Sequence, residues 1–147
     1  MFLIIREKMR ILGIDYGDVY MGIAVCDINE FLATGLRTVK VKGLHKAAEI
    51  IVSTAIEEKA QKLVIGMPLN VDGRRGDRVE KTELLIKYIG ELCDLPVETM
   101  DERYTTVEAY TYLNATGASA KKKKGVVNTL SATIILQDYL DMKKNKN

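Results

Sequence analysis

The sequence contains a single histidine, His45, and only two cysteines, Cys26 and Cys93. That scarcity excludes a zinc site built on imidazole and thiolate, so any metal here would be a hard cation held by carboxylate oxygen. The cysteines lie far apart, outside any C-x-x-C spacing, and read as buried free thiols in a reducing compartment. Long apolar runs are missing too, and nothing approaches the ~18 residues of a transmembrane helix. The opening "MFLIIREK" is apolar for only about four residues and has no small-residue cleavage site, so no secretory signal is expected. The chain reads as cytoplasmic, without a membrane partner. A large excess of one charge is also lacking: the net charge is +2, which excludes nucleic-acid binding by a bulk polycation.

What is present is a 147-residue chain, 47% hydrophobic and 29% charged, the composition of one globular domain. Residues 1–9 read as an extension with Met9 a candidate start, residues 10–142 as the domain, and residues 143–147 as a basic tail. Positive charge is concentrated in two places, "RRGDR" at Arg74–Arg78 and "KKKK" at Lys121, Lys122, Lys123 and Lys124. Both read as loops that could attract phosphate.

Three β-rich runs, Arg10–Asp15, Val19–Asp27 and Phe31–Val41, are separated by short turns and predict an antiparallel meander. Leu44, Ala47, Ala48, Ile51, Ala55 and Ile56 then repeat at helical spacing to about Ala60. "KLVIG" at Lys62–Gly66 has the continuous apolar pattern of a strand buried on both faces. A second helix is expected from Asp77, with Glu80 completing a capping box and Leu85, Ile86, Ile89 and Leu92 inward. "LPVETMD" predicts a last strand ending on acids, and Thr105 with Glu108 the start of a third helix that Gly117 ends. A basic loop at Ala118–Lys124 precedes a final apolar helix from Val126 to about Met142. The order β-β-β-α-β-α-β-α-α demands an α/β fold with a mixed sheet, three antiparallel strands followed by parallel strands through helices on both faces. It is the order of the ribonuclease H-like fold.

The acids fall at strand ends. Asp15 closes the first strand, and Asp101 with Glu102 closes the last. If those strands are neighbours, the carboxylates meet at one edge, where their repulsion calls for a divalent cation. Mg²⁺ or Mn²⁺ prefers oxygen ligands and binds through one or two carboxylates plus phosphate, a site suited to phosphodiester hydrolysis. Asp101 and Glu102 are consecutive and point to opposite faces while the strand persists, so only one faces the metal. Asp15 taken alone could instead be a turn-capping acid. Gly17 and Gly22 would let backbone or nucleic acid approach, or simply form turns. "GMPLNVDGRRG" combines a strand end with a turn before a helix, and its amides could contact phosphate.

"GIDYGDVYMGIAV", "VIGMPLNVDG", "DERYTTVEA" and "SATIIL", in this order and at these distances, resemble the YqgF/RuvX family of pre-16S rRNA nucleases related to Holliday junction resolvases. The likeness runs over about Arg10–Leu140. It implies a ribonuclease H-like fold, a cytoplasmic setting and trimming of the 5′ end of the 16S rRNA precursor. It also implies site acids at Asp15, Asp101 and Glu102, and a third acid in a "VDSxSA" segment opening the last helix. Here that segment is "VNTLSA", so the position is Asn128, whose amide oxygen can ligate a hard cation but adds no charge. Asn128 could instead be the N-cap of the last helix. Arg103, in the same motif as the acids, would bind phosphate or neutralise them. Arg74 and Arg75, with Lys121, Lys122, Lys123 and Lys124, complete the candidate nucleic-acid contacts.

The leading expectation is therefore a metal-dependent nuclease acting on precursor or structured RNA. A nucleic-acid-binding ribosome-biogenesis factor weakened by Asn128, and a Holliday junction resolvase acting on structured DNA, are the alternatives. The sequence does not decide between monomer and homodimer.

Overall fold

A computed structural model describes residues 9–68, 76–101 and 120–145, with the side chains of the last stretch from Val127 onward. Eight elements follow one another: β1 (Arg10–Tyr16), β2 (Tyr20–Cys26), β3 (Ala33–Lys40), α1 (Leu44–Glu57), β4 (Ala60–Met67), α2 (Asp77–Leu92), β5 (Val97–Asp101) and α3 (Ala120–Asn145). The expected third helix at 105–117 lies outside the described residues.

The strands form one sheet in the order β3-β2-β1-β4-β5. Tight turns make β1–β2 and β2–β3 antiparallel, whereas β4 joins β1, and β5 joins β4, in parallel. Alternation along β1 sends Leu12, Ile14 and Tyr16 to one face, where they meet Ala48 and Ile51 of α1 and Leu85 and Ile89 of α2. On the other face Ile11, Ala24 and Val64 pack against Ala132, Ile135, Leu136 and Tyr139 of α3. Both faces of the central strands are thus buried, which is why "KLVIG" carries no polar alternation.

The close seating of α3 depends on residues with little or no side chain. Gly13, Ala24 and Gly35 are register partners across β1, β2 and β3. A Cβ on Gly13 would lie 2.6 Å from Leu136 Cβ, and one on Gly22 only 1.9 Å from the Asn128 carbonyl oxygen.

Several boundaries differ from expectation. α1 stops at Glu57 because Lys59 turns left-handed, with φ 56°, and Ala60 already belongs to β4. Ile56 therefore faces solvent, 72% exposed, and Leu92 at the end of α2 is 50% exposed. No capping box opens α2: Gly76 is its N-cap, without a side-chain cap bond. Asp77 and Glu80 sit inside the first turn instead, where their charge favours the helix dipole. The last helix begins at Ala120 rather than Val126 and continues to Asn145. Lysine is a good helix former, and nothing from Lys121 through Lys122 and Lys123 to Lys124 breaks the turn. Cys26 is buried as expected, but Cys93 is only half-buried.

Candidate active site

Asp15 is the penultimate residue of β1 and shares the α3 face with Ile11 and Gly13. It is 7% exposed and has interaction partners. Its register partner on β2 is Gly22, and over Gly22 lies the backbone of Asn128 and Thr129. The missing side chain at Gly22 thus lets α3, not nucleic acid, approach the strand beside the buried carboxylate.

Asn128 is not a helix cap, because α3 has already run for eight residues before reaching it. Its Nδ2 donates to the Tyr20 carbonyl oxygen at 2.6 Å, and the Gly17 amide donates to the same oxygen at 3.0 Å. Asn128 therefore clamps the β1–β2 turn to α3. One helical turn further, Ser131 is fully buried and its Oγ has no hydrogen-bond partner among the described residues. From the other side of the turn, Arg78 in the first turn of α2 donates from Nη2 to the Tyr16 carbonyl oxygen at 3.0 Å. Lys81, three residues on, pairs with Asp18 at 3.4 Å. A cleft of about 250 Å³ opens between the Gly17–Tyr20 turn, Arg78, Val127 and Asn128.

Burial sets the protonation of two nearby groups. It raises the Tyr16 phenol above its ordinary range against the opposing pull of Lys81, so the ring stays neutral beneath the turn. Burial likewise raises the Cys26 thiol, leaving it a protonated core group rather than a nucleophile.

The acids of the last strand stand elsewhere than the simplest expectation. β1 and β5 are not neighbours, since β4 lies between them, which puts the two backbones about 10 Å apart at the strand spacing. Asp101 pairs with Met67. Val97 packs with the α1–α2 face and Met100 with the α3 face, so alternation places Asp101 on the α1–α2 face, opposite Asp15. Glu102, Arg103, Glu108, Arg74 and Arg75 lie outside the described residues. The expected basic loop is corrected: Lys121, Lys122, Lys123 and Lys124 fall within the opening turns of α3, with side chains outside the described set. Among the described residues no three His, Cys, Asp or Glu side chains gather to hold a metal.

Two residues of the site, Arg78 and Ser131, escape the sequence reading. Arg78 is visible there only as the last letter of "RRGDR", and Ser131 only as a member of an apolar helix.

The description of the RuvX family model is Holliday junction resolvase, and the model matches residues 9–142. The chain belongs to the RuvX family. Among RuvX relatives, a Ruminiclostridium cellulolyticum protein named "Putative pre-16S rRNA nuclease" is 46% identical over 134 residues, covering 90% of this chain and 94% of that protein. A Halothermothrix orenii protein of the same name is 39% identical, covering 90% and 95%. The fold is ribonuclease H-like, as in the Thermus thermophilus RuvC bound to a Holliday junction substrate, with a TM-score of 0.57 at 12% identity over 92% of this chain and 96% of that one. The fowlpox virus resolvase in complex with Holliday junction DNA gives 0.57 at 9% identity, covering 91% and 98%.

Proposed function

We propose that this RuvX chain is a metal-dependent nuclease that hydrolyses phosphodiester bonds at the 5′ end of pre-16S rRNA in the cytoplasm, during ribosome biogenesis. The observation that carries the reading is Asp15: a carboxylate buried at a strand end, beneath a helix and beside an open cleft that Arg78 lines. The relatives' names support the choice of RNA, whereas the family model's description is that of a DNA junction resolvase.

The side chains assigned to the site offer oxygen donors: the Asp15 carboxylate, the amide oxygen of Asn128, whose backbone lies over the register partner of Asp15, and, one helical turn on, the Ser131 hydroxyl, which has no partner among the described residues. That set fits Mg²⁺ or Mn²⁺ and not a thiolate-seeking metal. Asp15, the acid pair at Asp101 and Glu102, and the Asn128 amide would hold the ion. Of the pair, Glu102 is the better assignment, because Asp101 falls on the far face of the sheet. When bound, such an ion polarises the phosphodiester and lowers the pKa of attacking water. The chain's own part is to orient the strand. α3 seals one side of Asp15, the clamped β1–β2 turn fixes where the carboxylate ends, and cationic side chains neutralise phosphate.

One observation favours the second reading, a binding factor of reduced activity: Asn128 brings no charge and its Nδ2 is committed to Tyr20. Cleavage of a pre-16S 5′ fragment and of a four-way DNA junction, each with Mg²⁺ or Mn²⁺, separates the possibilities. The nuclease reading expects RNA cleavage that chelator and Asp15→Asn both abolish. Cleavage of the junction alone would make the chain a resolvase, and binding without cleavage in either ion would leave the binding factor.

A further inference from the structure

We propose that the cleft between the β1–β2 turn, Arg78 and α3 is a nucleotide subsite, in which Arg78 takes a phosphodiester next to the one beside Asp15. The inference rests on the nuclease reading and adds to it the place where the substrate strand is held.

The chemistry of the cleft is that of a nucleotide. Arg78 spends one of its five N–H donors on the Tyr16 carbonyl, and no ion pair joins it to a carboxylate among the described residues. A guanidinium held by a neutral anchor, with donors left for a ligand, suits a phosphate diester in a forked geometry. Asp18, the acid of the lining, is already paired with Lys81, so it does not cancel Arg78. The lining also carries apolar side chains: Val127 is buried, and Val19 is 55% exposed in the β1–β2 turn. An exposed branched side chain at the mouth of a charged cleft offers a surface to a sugar or base. A volume near 250 Å³ is enough for one nucleotide unit.

The position fixes the role. Tyr16, which anchors Arg78, follows Asp15 in the chain, and consecutive Cα atoms are about 3.8 Å apart. Gly17, two residues after Asp15, lines the cleft with Arg78, so a substrate strand engaged at Asp15 passes its mouth. The same hydrogen bond couples α2 to the end of β1, so Arg78 would bind substrate and steady the strand that carries the acid.

The test measures binding of a fluorescent single-stranded RNA, and of DNA of the same sequence, in chelator across a salt series, apart from any cleavage. Arg78→Gln should weaken affinity roughly tenfold at low salt and reduce the slope of log K against log salt by about 0.7. Lys87→Gln removes the same charge about 13 Å further along α2 and should leave the slope unchanged. Arg78→Lys keeps the charge but loses the fork, and should recover the slope with only part of the affinity. Wild-type binding with an unaltered slope in Arg78→Gln would overturn the subsite, even if thermal stability fell, and would leave the nuclease reading standing. Failure of wild type to bind either strand would remove the subsite as well. Wild-type binding with the expected Arg78 effects, but no cleavage with metal, would remove the nuclease reading alone.

Discussion

Gly22→Ala is the substitution that most directly tests how α3 meets the sheet beside Asp15. Its new methyl would stand 1.9 Å from the Asn128 carbonyl oxygen and 2.2 Å from the carbonyl carbon. Real Cβ contacts to such atoms stay above about 3.0 Å, so the helix backbone must retreat by about 1 Å. Backbone cannot rotate out of the way as a side-chain tip can. A gap of that size forfeits a quarter to a half of each contact's dispersion energy, and α3 contributes five side chains to this core, Ala132, Ile135, Leu136, Tyr139 and Leu140. Overpacking usually costs about 1–3 kcal/mol. With backbone against backbone, the expected loss is about 3 kcal/mol or more, a fall in Tm of roughly 6–12 °C for a chain of this length. Two companion variants calibrate the effect. Gly35→Ala would meet the Thr129 methyl at 2.6 Å, the movable end of a side chain, and should cost about 1 kcal/mol. Gly90→Ala meets nothing within 4 Å on α2 and should gain roughly 0.5–1 kcal/mol from helix propensity. Urea denaturation with unchanged m-values reads all three. Gly22→Ala within about 0.5 kcal/mol of wild type would refute the close seating of α3 and, with it, the contact that places Asn128.

Asn128→Asp would set a carboxylate oxygen against the Tyr20 carbonyl now held at 2.6 Å; without metal this should cost about 1–3 kcal/mol, and Mn²⁺ should raise the variant's Tm more than the wild type's. Ser131→Ala removes a buried hydroxyl that has no partner among the described residues, so urea melts should show a gain of about 1 kcal/mol, together with slower cleavage if that oxygen serves the site. Stability should decline in acid. Backbone amides of Leu32 and Phe31 hold the Asp27 carboxyl below its usual range, and the Tyr139 hydroxyl, with Lys62, does the same for Glu98. Folded-state values below the unfolded ones mean stability that is complete above the ordinary carboxylate range and lost as pH falls through the depressed values. Melts from pH 6 downward should be shallower in Asp27→Asn, and an unchanged profile would exclude that turn as a source.

The parts of the fold legible in the sequence were those where burial leaves a periodic trace. "KLVIG" could only be a strand covered on both sides, and Ala47, Ala48, Ile51 and Ala55 do form the inner stripe of α1. The start of α3 was not legible, because four lysines satisfy a solvated loop and a helix equally well and composition carries no vote between them. Nor was the relation of Asp15 to Asp101. Alternation indicates that one of two consecutive acids faces a given side, but which one depends on strand register, and register is fixed by packing across β4. The role of Gly22 was half-legible: Gly17 and Gly22 beside Asp15 left room for backbone or nucleic acid to come close, and only the packed helix shows that the visitor is the backbone of Asn128.

The side-chain contact of Asn128 gives a physical reason for an amide at the position where the resemblance implies an acid. The Tyr20 carbonyl accepts from the Gly17 amide and from Asn128 Nδ2, so the turn after Asp15 is tied down with no ion present. An aspartate there could not donate, and its charge would need a bound cation or a proton before the turn could settle. Asparagine thus exchanges one unit of negative charge for a turn held independently of metal. On the metal-dependent reading proposed above, a divalent ion held with one charge fewer would be bound less tightly and would keep more of its field for phosphate, and the protein's cations would not have to overcome a third carboxylate to reach the substrate. Restoring that carboxylate should therefore tighten metal and weaken metal-free RNA binding together. Direct titration of Mn²⁺ and RNA against Asn128→Asp measures both, and a variant that gained metal affinity with no loss for RNA would break the electrostatic link.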